Sequence, residues 1–194
     1  MFEFIEGEIA ELSPTQVVIN ANGVGYLAHI SLNAFEKFNG KSKLRLLTHL
    51  VVKEDSHTLF GFYDHAERSL FRHLISVSGI GPATARMVLS ALNHKEIIGA
   101  ILNGNEALLK AIKGIGPKAA QRMILELRDK VGKIDDTNLV KSNSSSGNIY
   151  EALEALTALG FARAAAEKVA YKVMSDLGEN ATTENIIKNC LKLL

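Results

Sequence analysis

The chain has 194 residues, of which 47% are hydrophobic, enough for packed cores rather than wholesale disorder. Its single cysteine, Cys190, excludes an internal disulfide framework and an all-cysteine metal site. Acids interrupt the apolar start MFEFIEGEIA, no stretch reaches membrane-spanning length, and a net charge of +1 selects no partner class, so a soluble, cytoplasmic protein is expected. The charge is unevenly placed: residues 64–132 carry 10 Lys and Arg against 6 Asp and Glu, while the segments on either side are slightly acidic. That asymmetry points to an anionic partner for the middle of the chain.

Residues 1–63 read as short strands. FEFIEGEIAEL, TQVVINANG, VGYLAHISL, KLRLLTHLVVKE and HTLFGFY are separated by turn signals such as Ser13-Pro14 and Asn22-Gly23. A brief helix over Leu32–Phe38 interrupts them after the third strand. Five strands with that insertion suggest a small Greek-key barrel of the OB type. The last two strands enclose the tip Glu54-Asp55 in VVKEDSHTLFGFY. Two acids at a turn need mean no more than exposure to water.

From Asp64 the apolar period lengthens. Helices are expected over Ala66–Ser76, Ala83–Leu92, Lys95–Leu102, Glu106–Ile112 and Lys118–Val131. Residues 133–148, polar and serine-rich, read as a flexible linker. Three more helices follow, Ile149–Ala158, Ala162–Ser175 and Thr183–Leu193, with Gly160 at a helix end and Thr182 or Thr183 as a cap. The fold class is therefore a multi-domain α+β chain: barrel 1–63, helical domain 64–132, linker 133–148 and three-helix module 149–194.

The middle domain repeats itself. GIGPATARMVLSAL (79–92) recurs as GIGPKAAQRMILEL (114–127), each copy following one apolar helix and opening another. This is the helix-hairpin-helix pattern, with Gly79, Ile80, Gly81 and Ala85 in one copy and Gly114, Ile115, Gly116 and Ala120 in the other. The first glycine suits a left-handed corner, and the apolar residue plugs the space between the helices. The second glycine bares the N–H groups that open the next helix, at the positive end of its dipole. Such a corner grips phosphate and reads no base, so binding without sequence preference is expected. Thr84 and Arg86 in the first copy, and Lys118 and Arg122 in the second, are the further candidate donors. Ala83 stands where the second copy has Lys118, which predicts a weaker first grip.

Barrel, tandem hairpins, linker and three-helix tail, in that order, resemble the RuvA family, the DNA-binding subunits of bacterial Holliday-junction branch-migration complexes. The stretches that carry the resemblance are NGVGY (22–26), VVKEDSHTLFGF (51–62), SGIGPATA (78–85), KGIGPKAA (113–120) and ALGF (158–161). The resemblance implies a homotetramer, or two stacked as an octamer, on which a four-way junction lies open. It implies that Glu54 and Asp55 form an acidic pin at the centre, repelling duplex from the crossover. It also implies that the tail docks a RuvB-type hexameric ATPase, with Leu159, Phe161, Ile187 and Leu191 as contacts or, with Leu156, as tail core. A RuvC-type resolvase is a further partner it leaves open.

No catalytic set is visible in the residues. The six histidines show no metal-ligand spacing, and no phosphate-binding loop ends in Gly-Lys-Ser/Thr, so no cofactor is expected and ATP and Mg²⁺ would be used by the partner motor. Two other readings stay open here. One is a glycosylase or nuclease that uses the hairpins to hold substrate, with Asp129 or Glu54-Asp55 as its acids. The other is a scaffold for which DNA contact is incidental.

Overall fold

The computed structural model describes residues 2–139, 145–178 and 181–194. They belong to two compact units, Met1–Asp135 and Asp136–Leu194. In the first unit, strands β1 (Phe4–Ser13), β2 (Gln16–Ala21), β3 (Val24–His29), β4 (Lys43–Val52) and β5 (His57–Phe62) close a barrel in the order β1-β2-β3-β5-β4. Helix α1 (Leu32–Phe38) is inserted between β3 and β4. β1 pairs antiparallel with both β2 and β4, and β3 meets β5 in parallel at His29 and Phe60, the OB-type closure. Asn22 (φ 51°) and Gly23 (φ 89°) form the two-residue loop between paired Ala21 and Val24, because only left-handed residues match the strand twist there. Closure also needs a bare residue at position 7. A Cβ on Gly7 would stand 2.2 Å from the Asn20 carbonyl oxygen.

Helices α2 (His65–Ile75), α3 (Pro82–Ala91), α4 (His94–Leu102), α5 (Glu106–Lys110) and α6 (Pro117–Leu139) follow. Their starts are set by local chemistry. Asp64 accepts from Glu67 N at 2.8 Å, Asn93 and Glu96 make a reciprocal capping box, and Asn105 accepts from Leu108 N at 3.1 Å. The sequence suggests that the last of these helices stops at Val131, but α6 continues to Leu139, and α7 (Ser145–Ala158) begins before the expected Ile149. Both ends of the 133–148 stretch are thus helical, and residues 140–144 lie outside the described residues.

Barrel and hairpin helices are not separate bodies, although the change of period at Asp64 suggests a boundary. Leu47, Phe60 and Phe62 of the barrel are buried in one cluster with Leu70, Phe71 and Leu74 of α2. The Phe71 ring lies 5.1 Å from that of Phe60 and 4.9 Å from that of Phe62. The end of β5 is buried on both sides, so its apolar residues serve two cores.

A polar seam crosses the same boundary. Ser31 caps α1, accepting from Ala34 N at 3.0 Å, and donates to the Glu67 carboxylate, whose other oxygen accepts from Tyr63 N at 3.1 Å. Glu67 is only 3% exposed. Desolvation pushes its carboxyl up to about 7, against the opposing effect of the hydrogen bonds from Ser31 and Tyr63. Between its ordinary value of 4.5 and about 7 the folded chain holds a proton that the unfolded chain has released. Stability is therefore expected to fall as pH rises through that window, by about 3 kcal/mol, and to level off above it. Denaturant titrations at pH 5 and pH 8 check this, and Glu67→Gln should flatten the difference.

In the second unit α7 packs with α8 (Arg163–Leu177) and α9 (Thr183–Cys190) around Leu156, Ala166, Ala170, Val173, Ile186 and Cys190. Gly160 (φ 97°) turns the chain after α7, with Phe161 N donating back to Leu156 O at 3.1 Å. Of the two threonines, Thr182 is the cap of α9, accepting from Asn185 N at 3.4 Å. Among the described residues no helix is long and apolar enough to cross a membrane.

Candidate nucleic-acid interface

The two repeats build two matching corners. In each, the plug residue donates back to the preceding helix, Ile80 N to Val77 O and Ile115 N to Ile112 O, both at 3.0 Å. Each following helix starts alike, with Ala85 N on Gly81 O at 2.9 Å and Ala120 N on Gly116 O at 3.0 Å. Gly79 (φ 90°) and Gly114 (φ 93°) are both left-handed, which an L side chain adopts only with strain. Equivalent apolar positions, such as Leu74 and Leu109 or Val88 and Met123, are fully buried. The repeat visible in the sequence is a repeat in space.

Ile80 and Ile115 are 4% and 5% exposed and spend their N–H groups inside the corner. Both are among the candidate DNA contacts, and the structure places their side chains as the plug inside each corner. The free donors come next. Gly81 caps α3 with no side-chain partner, and Pro82 has no N–H to satisfy. The N–H groups of Gly81, Ala83 and Thr84, and of Gly116, Lys118 and Ala119, have no acceptor among the described residues. A Cβ on Gly81 or Gly116 would meet no protein atom within 4 Å. Packing within the chain therefore does not call for glycine at either position.

The two corners are linked to each other. Arg122 of α6 donates to Ser78, 3.3 Å to its carbonyl and 3.1 Å to its hydroxyl, and so reaches the first corner. Thr84 of α3 lies 3.8 Å from where a Cβ of Gly114 would be, beside the second corner. Lys118 is exposed at the start of α6. Arg86 behaves differently from the expectation. Its guanidinium donates to the Thr15 carbonyl at 3.0 Å and lies 3.5 Å from His29 Nδ1, so it ties α3 to the barrel. Burial, with Arg86 adding to it, lowers the His29 pKa below its usual value.

Glu54 and Asp55 stand at the tip of the β4–β5 hairpin, both exposed, in a loop closed by Lys53 N on Ser56 O at 2.8 Å. No ion pair holds either acid among the described residues. Asp129, the acid an enzyme reading would use, is exposed on α6. Ser78 is the residue the sequence did not announce. Its partner Arg122 lies 44 positions away, and no periodicity marks such a pair.

In the tail, Leu159 is 61% and Leu191 is 45% exposed, whereas Phe161 and Ile187 pack against the tail core and Leu156 is wholly buried. The four docking candidates thus divide into two that face outward and two that support the core. Tyr171, 65% exposed on α8, is a further outward residue.

Comparison with known proteins places this arrangement. Residues 1–61 match the model of the RuvA N terminal domain, 71–129 that of a SAM-like helix-hairpin-helix tandem, and 147–194 that of the RuvA C-terminal domain. Proteins described as "Holliday junction branch migration complex subunit RuvA" are similar over the full length. Those of Flavobacterium psychrophilum and Christiangramia forsetii are 47% and 46% identical over 194 residues, covering all of both chains. That of Bacteroides thetaiotaomicron is 44% identical over 203 residues, again covering all of both. The chain belongs to the RuvA family. For a RuvA-family chain, the corners with open N–H groups and the exposed acidic tip lie in the two segments matched by the N-terminal and hairpin models.

Proposed function

We propose that this chain is a non-catalytic subunit that binds four-way DNA junctions without sequence preference and holds them open for branch migration. The observation that carries the reading is the pair of equivalent corners with bare, unpartnered N–H groups in a segment of net positive charge. Phosphate is the ligand that such donors suit, because charge and geometry both favour an oxyanion at the start of a helix. Gly81 and Gly116 admit the strand, Lys118 and Arg122 add charge, and Gly79 and Gly114 set the turns. Ala83 leaves the first corner without a counterpart of Lys118, which favours the second corner, and Arg122, which reaches Ser78, serves both. Glu54 and Asp55 repel backbone that strays to the centre, which favours an open junction over a duplex lying across it.

Four copies, singly or as two stacked tetramers, would present the corners to four arms and gather the acids at one point. The tail, through Leu159 and Leu191, would engage a RuvB-type hexameric ATPase that uses ATP and Mg²⁺, and a RuvC-type resolvase would act on the same open junction. A cytoplasmic location fits these roles in recombination and repair.

The test is binding of a labelled four-way junction and a linear duplex across a salt series, with native mass measurement of the junction complex. Junction preference, and stoichiometry in multiples of four chains, are expected. With several phosphates held per complex, affinity should fall by roughly a thousandfold or more between 50 and 200 mM salt. A nearly flat salt dependence would instead indicate a protein scaffold, and strand cleavage by the chain alone would indicate an enzyme.

A further inference from the structure

Helix α3, whose N-terminus forms the first corner, is tied to the barrel along its length. Arg86 donates to Thr15 O in the turn between β1 and β2. The tie at the other end is less conventional. Helix α3 ends at Ala91 and the chain turns extended at Leu92, which leaves the Leu89 carbonyl without an intrahelical donor, while Asn93 N is taken by Glu96 at 2.8 Å in the capping box of α4. Asn33, on barrel helix α1, supplies the missing donor. Its Nδ2 donates to Leu89 O at 2.6 Å and to Leu92 O at 3.1 Å. Beside it, Leu32 N donates to Ser90 Oγ at 3.1 Å, and Ser90 donates in turn to Arg86 O at 2.8 Å.

The second hairpin has no such tie. Among the described residues, no hydrogen bond or ion pair joins residues 104–131 to the barrel, and the polar link from that hairpin to the first is Arg122 on Ser78. The corners are therefore held relative to the Glu54-Asp55 tip, which belongs to the barrel, by α2, which shares its core with the barrel and whose Arg68 pairs with Glu3, and by α3 through Arg86, Asn33 and Ser90.

We infer that Asn33 is a positioning residue for junction recognition: by capping α3 from the barrel, it sets the first corner at a fixed distance and angle from the acidic tip. The inference rests on the proposed junction-binding function. Helix α3 has ten residues, about 15 Å, so freedom at its C-terminal end tilts the axis along which the N–H groups at its start point. A linear duplex needs only the corners. A junction needs corners that attract and a tip that repels, in register.

The experiment compares full-length wild type with Asn33→Ala, measuring equilibrium binding to a four-way junction and to a linear duplex with the same arm sequence, alongside a thermal melt. Junction-over-duplex preference is expected to fall about tenfold, the equivalent of one net hydrogen bond, while duplex affinity stays within about twofold. Asn33→Gln, which keeps an amide donor, should restore part of the preference. Ser90→Ala removes the acceptor of Leu32 N and should move the preference in the same direction; it decides the matter if Asn33→Ala does not fold. Equal losses for both DNAs, or unchanged preference in the variants, would overturn the positioning role. A wild-type protein without junction preference would overturn the proposed function itself.

Discussion

Replacing Glu54 and Asp55 together by Gln and Asn is expected to leave junction affinity unchanged or higher, while junction-over-duplex preference drops on the order of tenfold. The two acids are exposed at a hairpin tip closed by backbone hydrogen bonding, and no ion pair holds them among the described residues. Their removal should therefore leave the barrel as stable as before. What is lost is repulsion. Like charges a few ångströms apart near a protein surface disfavour close approach, and the amides keep size and polarity while removing charge. Binding of junction and duplex measured in parallel at one salt concentration reads the effect directly. A double variant that binds junctions much more weakly with preference intact would show that the tip acts by attraction or by shape, contrary to this reading.

Gly116→Ala, alone or with Gly81→Ala, is expected to weaken binding of junction and duplex alike, by about tenfold or more, with no matching loss of stability. The structure separates these glycines from their neighbours. A Cβ at either position meets no protein atom within 4 Å, and Gly81 has φ −85°, an ordinary value for any residue. On the proposed function, a methyl group there would obstruct an incoming phosphate while touching no other part of the protein. Gly114→Ala is the contrasting control: with φ 93° it should lower stability by about 1–2 kcal/mol through backbone strain. Thermal melts and duplex binding for the three variants make the comparison. If Gly116→Ala binds duplex as tightly as wild type, the bared N–H groups are not where DNA is held.

The readable parts of this chain were those whose cause lies within a few residues. Asn22-Gly23 and Ser13-Pro14 mark turns through their own backbone preferences, and strand alternation over 1–63 follows from burial of one face. The GIGP repeat exposes itself because two copies of one local device need the same residues at the same offsets. The tip Glu54-Asp55 was located by the strands around it, though its meaning came from the resemblance of the whole chain. Helix ends were less accurate where no cap or break stands, as with α6 running past Val131 to Leu139.

Long-range partnerships were not legible, and they altered the site. Arg86 looked like a DNA-facing donor because it follows the first corner, yet Thr15, 71 positions earlier, holds it. Ile80 and Ile115 carry the motif, and how deeply their side chains are buried in the corners is seen only in the packed chain. In the sequence Asn33 is an ordinary helix residue of the barrel, and only the packed chain shows it donating to the Leu89 carbonyl left open at the end of α3. Local order depends on short-range preference that each residue carries with it, so it can be read in a string. The fusion of barrel and hairpins around Phe71, and the ties of α3, depend on which surfaces meet after the chain has collapsed, and that is a property of the packed molecule.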